Sequence, residues 1–141
     1  MKNAIVRITD THIQNGEKAR CELTSAGSFG IENGAYCIKY EETDNELSGC
    51  VTTLRIEAPN RISMLRSGKY NTEMVFETDR RHNCFYKTPF GEMMMGIYSK
   101  RVFSELDENG GSVNFAYTID FNNDLVSENE LKISVNVKEE Q

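Results

Sequence analysis

Two charged residues in this chain sit where a charge is costly. Glu42 closes a row in which Tyr36, Ile38 and Tyr40 share one strand face, and Arg66 shares its parity with Ile62 and Met64. Side chains alternate across a strand, so rows that face a core carry both charges into it. A buried charge without a partner is strongly unfavourable, so the two must meet each other or a polar ligand. The chemistry this allows is recognition. The planar fork of Arg66 suits a ligand carboxylate or phosphate, with a hydroxyl from Tyr40 or Tyr86 beside it. A structural ion pair between Glu42 and Arg66, or two charges that reach solvent at strand ends, satisfies the same burial argument without a ligand.

Other reactive residue types form weaker sets. His82 and Cys84 lie two apart on a strand and so share a face, which is half of a zinc site. The other ligands would have to arrive from Cys50 or His12, and no Cys-x-x-Cys occurs, so an exposed histidine beside a buried thiol is expected instead. A Cys84 nucleophile with His82 or His12 as its base fails on geometry, because equal-parity neighbours on one strand splay apart. Glu41, Glu42, Glu73 and Glu77 could form an acid and base pair, but carboxylates along strand edges ordinarily serve solubility and discourage edge pairing. The expectation is a non-enzymatic protein with no metal and no cofactor.

The elements that must position these residues are strands. Ile5 to Ile13 is rich in β-branched residues and ends at Asn15-Gly16, a hairpin signal because both residues tolerate positive φ. Ala19, Cys21 and Leu23 then alternate with polar residues until Gly27, which is expected to interrupt the segment. Asn33-Gly34 marks a second hairpin, the polar stretch from Thr43 to Gly49 a loop, and Ala58-Pro59-Asn60 a turn. Ser67-Gly68, Asp79-Arg80-Arg81 and Thr88-Pro89-Phe90-Gly91 supply further corners, the last with the proline and glycine of a type I turn.

Met93 to Tyr98 is apolar on both parities, which predicts cover on both faces or a position under a loop. Val102, Phe103 and Leu106 continue as an irregular strand, and Asn109-Gly110-Gly111 reads as a third glycine hairpin. Val113, Phe115, Tyr117, Ile119 and Phe121 give the cleanest alternation, Asn122-Asn123-Asp124 turns again, and Leu131, Ile133, Val135 and Val137 line one face of the last strand. The tail from Lys138 to Gln141 should fray.

The chain of 141 residues is 38% hydrophobic and 27% charged, with no tryptophan, four cysteines and a net charge of −6, and it fits one globular domain over residues 1–141. Scattered negative charge argues against nucleic acid and anionic membrane surfaces. The N-terminus has no apolar signal core and no run approaches a membrane span, so the cytoplasm is expected. Cys21, Cys37, Cys50 and Cys84 then act as reduced, small apolar residues.

About ten strands joined by tight turns form an antiparallel meander, and a meander this long closes to avoid open edges. An all-β, up-and-down β-barrel of about eight to ten strands is expected, ahead of a two-sheet sandwich. The run Tyr40-Glu41-Glu42, Gly49 with Thr52-Thr53-Leu54, Arg66-Ser67-Gly68, Met74-Val75-Phe76-Glu77 and Tyr86 with Thr88-Pro89-Phe90-Gly91 resembles the YwiB-like family of bacterial proteins, over nearly the whole chain. The resemblance implies a calycin-type, lipocalin-like barrel in the cytoplasm of a Gram-positive bacterium. It implies no reaction and no catalytic residues. The Met93-Met94-Met95 run departs from that family's alternation.

A barrel of this size holds either packed side chains or one small ligand. The first expectation is a binding protein for a small, largely apolar molecule, with an acidic head near Arg66 and with Glu42, Tyr40 and Tyr86 around it. Tyr36, Met64, Phe76, Met93, Met95, Phe115 and Tyr117 supply either its lining or plain core. The alternative is a filled barrel acting as a protein interaction module through an exposed strand or the Glu41 to Gly49 loop. A homodimer fits either.

Overall fold

The computed structural model describes residues 1–42, 49–68, 71–88 and 91–138. Its ten strands are β1 (Lys2–Gln14), β2 (Glu17–Glu32), β3 (Ala35–Glu41), β4 (Val51–Ala58), β5 (Arg61–Ser67), β6 (Asn71–Glu77), β7 (Arg80–Thr88), β8 (Gly91–Asp107), β9 (Gly110–Phe121) and β10 (Asp124–Val137). Each pairs antiparallel with the next, and β1 also pairs with β10, so one up-and-down sheet closes into a barrel. Turn chemistry sets the register of the meander. Asn15 and Gly16 have φ of 53° and 77°, Asn33 and Gly34 have 51° and 82°, and Asn122 and Asn123 have 54° and 70°. Positive φ at both central residues matches the right-handed twist of the flanking strands.

Strand alternation puts one row of every strand inside. Val6, Phe29, Ile38, Leu54, Ile62, Phe76, Val113, Phe115, Ile133 and Val135 are fully buried and pack together. These residues lie toward the end of the barrel that carries the β2–β3, β4–β5, β6–β7 and β8–β9 connections. Phe76 and Phe115 are its aromatic centre, with ring centroids 4.4 Å apart. The thinnest seam lies between β6 and β7, where the described ladder pairs only Asn71 with Lys87 and Thr72 with Tyr86. Side chains supplement it: Glu77 Oε1 lies 3.0 Å from His82 Nε2 and 3.0 Å from Arg61 Nη1.

Several sequence expectations change against this frame. Gly27 does not interrupt β2, which runs through it. A Cβ there would press into the Lys39 carbonyl oxygen, so the glycine marks a close approach of β2 and β3. Nor are Gly110 and Gly111 the turn residues of their hairpin. The turn is Glu108-Asn109, and the glycines pair inside β9. Met93 and Met94 are exposed while Met95 is buried, so that run is not covered on both faces. A register shift between Ser99 and Arg101 explains why β8 resists a simple parity pattern, since the extra residue flips alternation before Val102. Cys37, Cys50 and Cys84 are buried, but Cys21 is exposed and not a core residue. Lys138 is held by its N–H, which donates to the Asn3 carbonyl at 2.9 Å; residues 139–141 of the expected frayed tail, like the Thr43 to Ser48 loop and the Pro89-Phe90 corner, lie outside the described residues.

The two β9 glycines carry a testable consequence. Gly111 has φ of 142°, and a Cβ on it would run into the Glu105 carbonyl oxygen of β8. Gly111→Ala should therefore lower the free energy of unfolding by about 2 kcal/mol, as backbone strain and strand separation combine. Urea unfolding of the variant measures it, and an unchanged midpoint would show that β8 and β9 separate freely.

Candidate functional site

Toward the opposite end, which carries the β1–β2 and β9–β10 turns, the inward rows change from the packed Phe76 and Phe115 rings to methionine, aliphatic and polar side chains. There the barrel opens into a cavity of about 660 Å³. Its apolar wall is Ile8, Leu23, Met64, Met74, Met95, Ile119 and Leu131, drawn from seven strands. The polar part is Asp10, Tyr40, Glu42 and Arg66, with Cys21 and Glu22 at β2. Tyr117 links the two ends, since it lines the cavity while its ring packs 4.7 Å from that of Phe76.

Glu42 is fixed through its backbone just past β3: its N–H donates to the Cys50 carbonyl at 2.8 Å and its own carbonyl accepts from Gly49 N–H at 3.2 Å. Its carboxylate accepts a hydrogen bond from Thr52 Oγ1 at 2.8 Å, and Arg66 Nη2 lies 3.5 Å from the same oxygen. Tyr40 is hydrogen-bonded to Glu42 as well. Burial, then the Glu42 charge, raises the Tyr40 phenol above its usual range. Burial likewise raises that of Tyr117, with the Asp10 charge adding to it and Arg66 opposing it. The side chains of Arg66 and Glu42 are 14% and 8% exposed, so both charges are inside the barrel, as their strand parity required.

Asp10 is a residue that the sequence reading passed over. It shares the inward row of β1 with Ala4, Val6 and Ile8. Its Oδ1 is buried and has no hydrogen-bond partner among the described residues, and the same holds for Nε of Arg66. Burial raises the Asp10 carboxyl above its ordinary 3.8; His12 and Arg66 oppose that shift and Glu42 adds to it. A carboxyl raised in the folded state destabilises the fold wherever it is ionised there, and the penalty fades as pH falls through the folded value toward 3.8. Asp10→Asn should thus raise the melting temperature at neutral pH, with the gain disappearing in the acid range. A variant less stable than the parent at neutral pH would show that the ionised carboxylate has a favourable partner.

Of the remaining candidates, His82 and Cys84 do not join this site. Tyr86 pairs through its backbone with Thr72 and Met93, and its side chain lies outside the described residues. His82 is engaged by Glu77, and Cys84 is buried, with its thiol pushed up by burial. Among the described residues no three His, Cys, Asp or Glu side chains gather as a metal set.

A ten-stranded barrel, packed at one end and hollow at the other, with an ion pair at the hollow end, defines the class, and the chain belongs to the family described as Domain of unknown function (DUF1934), whose model matches residues 6–133. It is 29% identical over 104 residues to the uncharacterized beta-barrel protein YwiB of Bacillus subtilis (strain 168), a match covering 73% of this chain and 71% of that one. The crystal structure of the ywiB protein from Bacillus subtilis has the same fold, with a TM-score of 0.87 at 19% identity over 98% of this chain and 93% of that chain. These likenesses agree with the resemblance in the strand and turn residues.

Proposed function

We propose that this protein binds one small, largely apolar molecule in the hollow end of the barrel and performs no reaction on it. The observation that carries the proposal is the cavity of about 660 Å³, well inside the range of roughly 300–1,000 Å³ typical of small-molecule sites. Its wall is mostly apolar, and Met64, Met74 and Met95 give it side chains that adapt to varied shapes. The few polar groups are gathered at one place, which suits orientation of a ligand rather than general solvation. This is the calycin-like use of a barrel. A cytoplasmic address belongs to the same proposal; no helix among the described residues is long and apolar enough to cross a membrane.

Native mass spectrometry of protein purified from a bacterial cytosol should show added mass that is lost on gentle activation. An environment-sensitive apolar dye should bind the emptied protein, and Met95→Trp, which narrows the cavity, should weaken both signals. Dye binding undiminished in a folded Met95→Trp variant would place it elsewhere and defeat the proposal.

A second reading has its own observation. Phe85 and Met94 are direct cross-strand partners on the outer face, 58% and 52% exposed, and Leu65 on β5 is 51% exposed. Exposed apolar groups in such a row suit contact with another protein. The same spectra would reveal it as a dimer or as a co-purifying chain, lost on Phe85→Ser.

A further inference from the structure

Strand β2 is paired on both sides over only part of its length. Its ladder with β1 runs from Glu17 to Phe29, whereas its ladder with β3 begins at Gly27 and runs to Glu32. Residues 17–26 therefore present a strand edge that no strand among the described residues covers, and residues 17–22 are all exposed. The free N–H and C=O groups of such an edge are a template for another strand. Gln14 and Glu17 flank the two-residue Asn15-Gly16 turn and so form a hydrogen-bonded pair. Alternation along an antiparallel ladder then aims the backbone groups of Lys18, Arg20, Glu22 and Thr24 away from β1, toward the open side.

We infer that this edge pairs antiparallel with the same edge of a second copy of the chain, about a two-fold axis at Cys21. In that register Arg20 lies opposite Glu22 of the second copy, and Glu22 opposite its Arg20, so one face gains two cross-strand ion pairs. On the other face Ala19 meets Leu23 and the two Cys21 side chains meet each other. Registers centred on Arg20 or on Glu22 place like charges opposite and are disfavoured. Within one chain Arg20 Nη2 already lies 2.8 Å from Glu22 Oε1, with the side chains 64% and 67% exposed, so the charges need only change partner. The match is of the edge with itself, which is why a second copy fits better than an unrelated peptide. Cys21 and Leu23 also line the cavity, so the same row from the second copy would lengthen its wall beside the place where β3 ends. The pairing does not depend on a ligand.

Sedimentation equilibrium of the full-length protein over a range of concentrations should show monomer and dimer in exchange. Arg20→Glu and Glu22→Arg should each weaken the dimer about tenfold, because the axis turns two attractive pairs into two repulsive ones, and combining them should restore it. Thiol oxidation reads the register. Cys21 is exposed while Cys37, Cys50 and Cys84 are buried, and facing residues of a non-hydrogen-bonded pair have Cα atoms about 4.5 Å apart, within disulfide reach. Diamide, which takes up the two protons and two electrons of the two thiols, should join parent chains through Cys21 and should do so much more slowly in Arg20→Glu. Phe85→Ser should leave the dimer intact, which separates this contact from one across β7 and β8. A protein that is monomeric throughout, a dimer indifferent to charge reversal or lost on Phe85→Ser, a combined variant that does not recover, or equal rates of crosslinking would each overturn the inference.

Discussion

Arg66→Met should lower the free energy of unfolding by about 3 kcal/mol, the lower end of the range for removing one partner of a buried ion pair. The magnitude follows from what stays behind. Glu42 is 8% exposed and would keep its hydrogen bonds from Thr52 and Tyr40 while losing its only described counter-charge. Those two bonds, and the long 3.5 Å separation of the pair, are why the lower end applies. Replacing both partners tests the cause. Glu42→Gln combined with Arg66→Met keeps an acceptor for Thr52 and removes both charges, so it should recover most of the loss. Urea unfolding of the parent, the two single variants and the double variant closes the cycle. A double variant as unstable as Arg66→Met would show that the stem of Arg66 matters through packing and not through charge.

The same residues show what strand parity can and cannot reveal. Glu42 and Arg66 were legible because each ends an unbroken apolar row, and the barrel turns both rows inward. Asp10 obeys the same rule after Ala4, Val6 and Ile8, but Thr9-Asp10-Thr11 resembles a polar strand end and β1 continues to Gln14. Its importance arises from a cavity opposite it, and no local pattern encodes a cavity. The Asn-Gly hairpins were legible because positive φ is a property of the residues themselves. Gly110 and Gly111 were misplaced by one step for the opposite reason. Their requirement is set by the carbonyls of Val135 and Glu105 on the two neighbouring strands, and so by cross-strand packing and not by the turn itself. In β8 the register shift near Lys100 breaks the alternation before Val102, whereas Met93 shares the parity of buried Met95 and is exposed near the start of the strand, which no local pattern encodes.

Phe76→Ala should cost about 4 kcal/mol and Met95→Ala only about 2, although both side chains are buried and point into the same barrel. Phe76 is wholly enclosed, with the rings of Phe115 and Tyr117 centred 4.4 Å and 4.7 Å from its own. Truncating it removes the transfer free energy of the ring and also opens a void that close-packed neighbours cannot fill. Met95 already faces the 660 Å³ cavity on one side. Truncating it loses the transfer term but merely enlarges an existing space, so the cavity term nearly vanishes. Urea unfolding of the two variants under one condition gives the comparison, and equal losses would mean that the hollow end is packed as tightly as the aromatic end. An unequal result has a functional corollary. The aromatic end then holds the fold by itself, and the methionine wall can be reshaped around a ligand at small cost to stability, as a binding site at a barrel mouth requires.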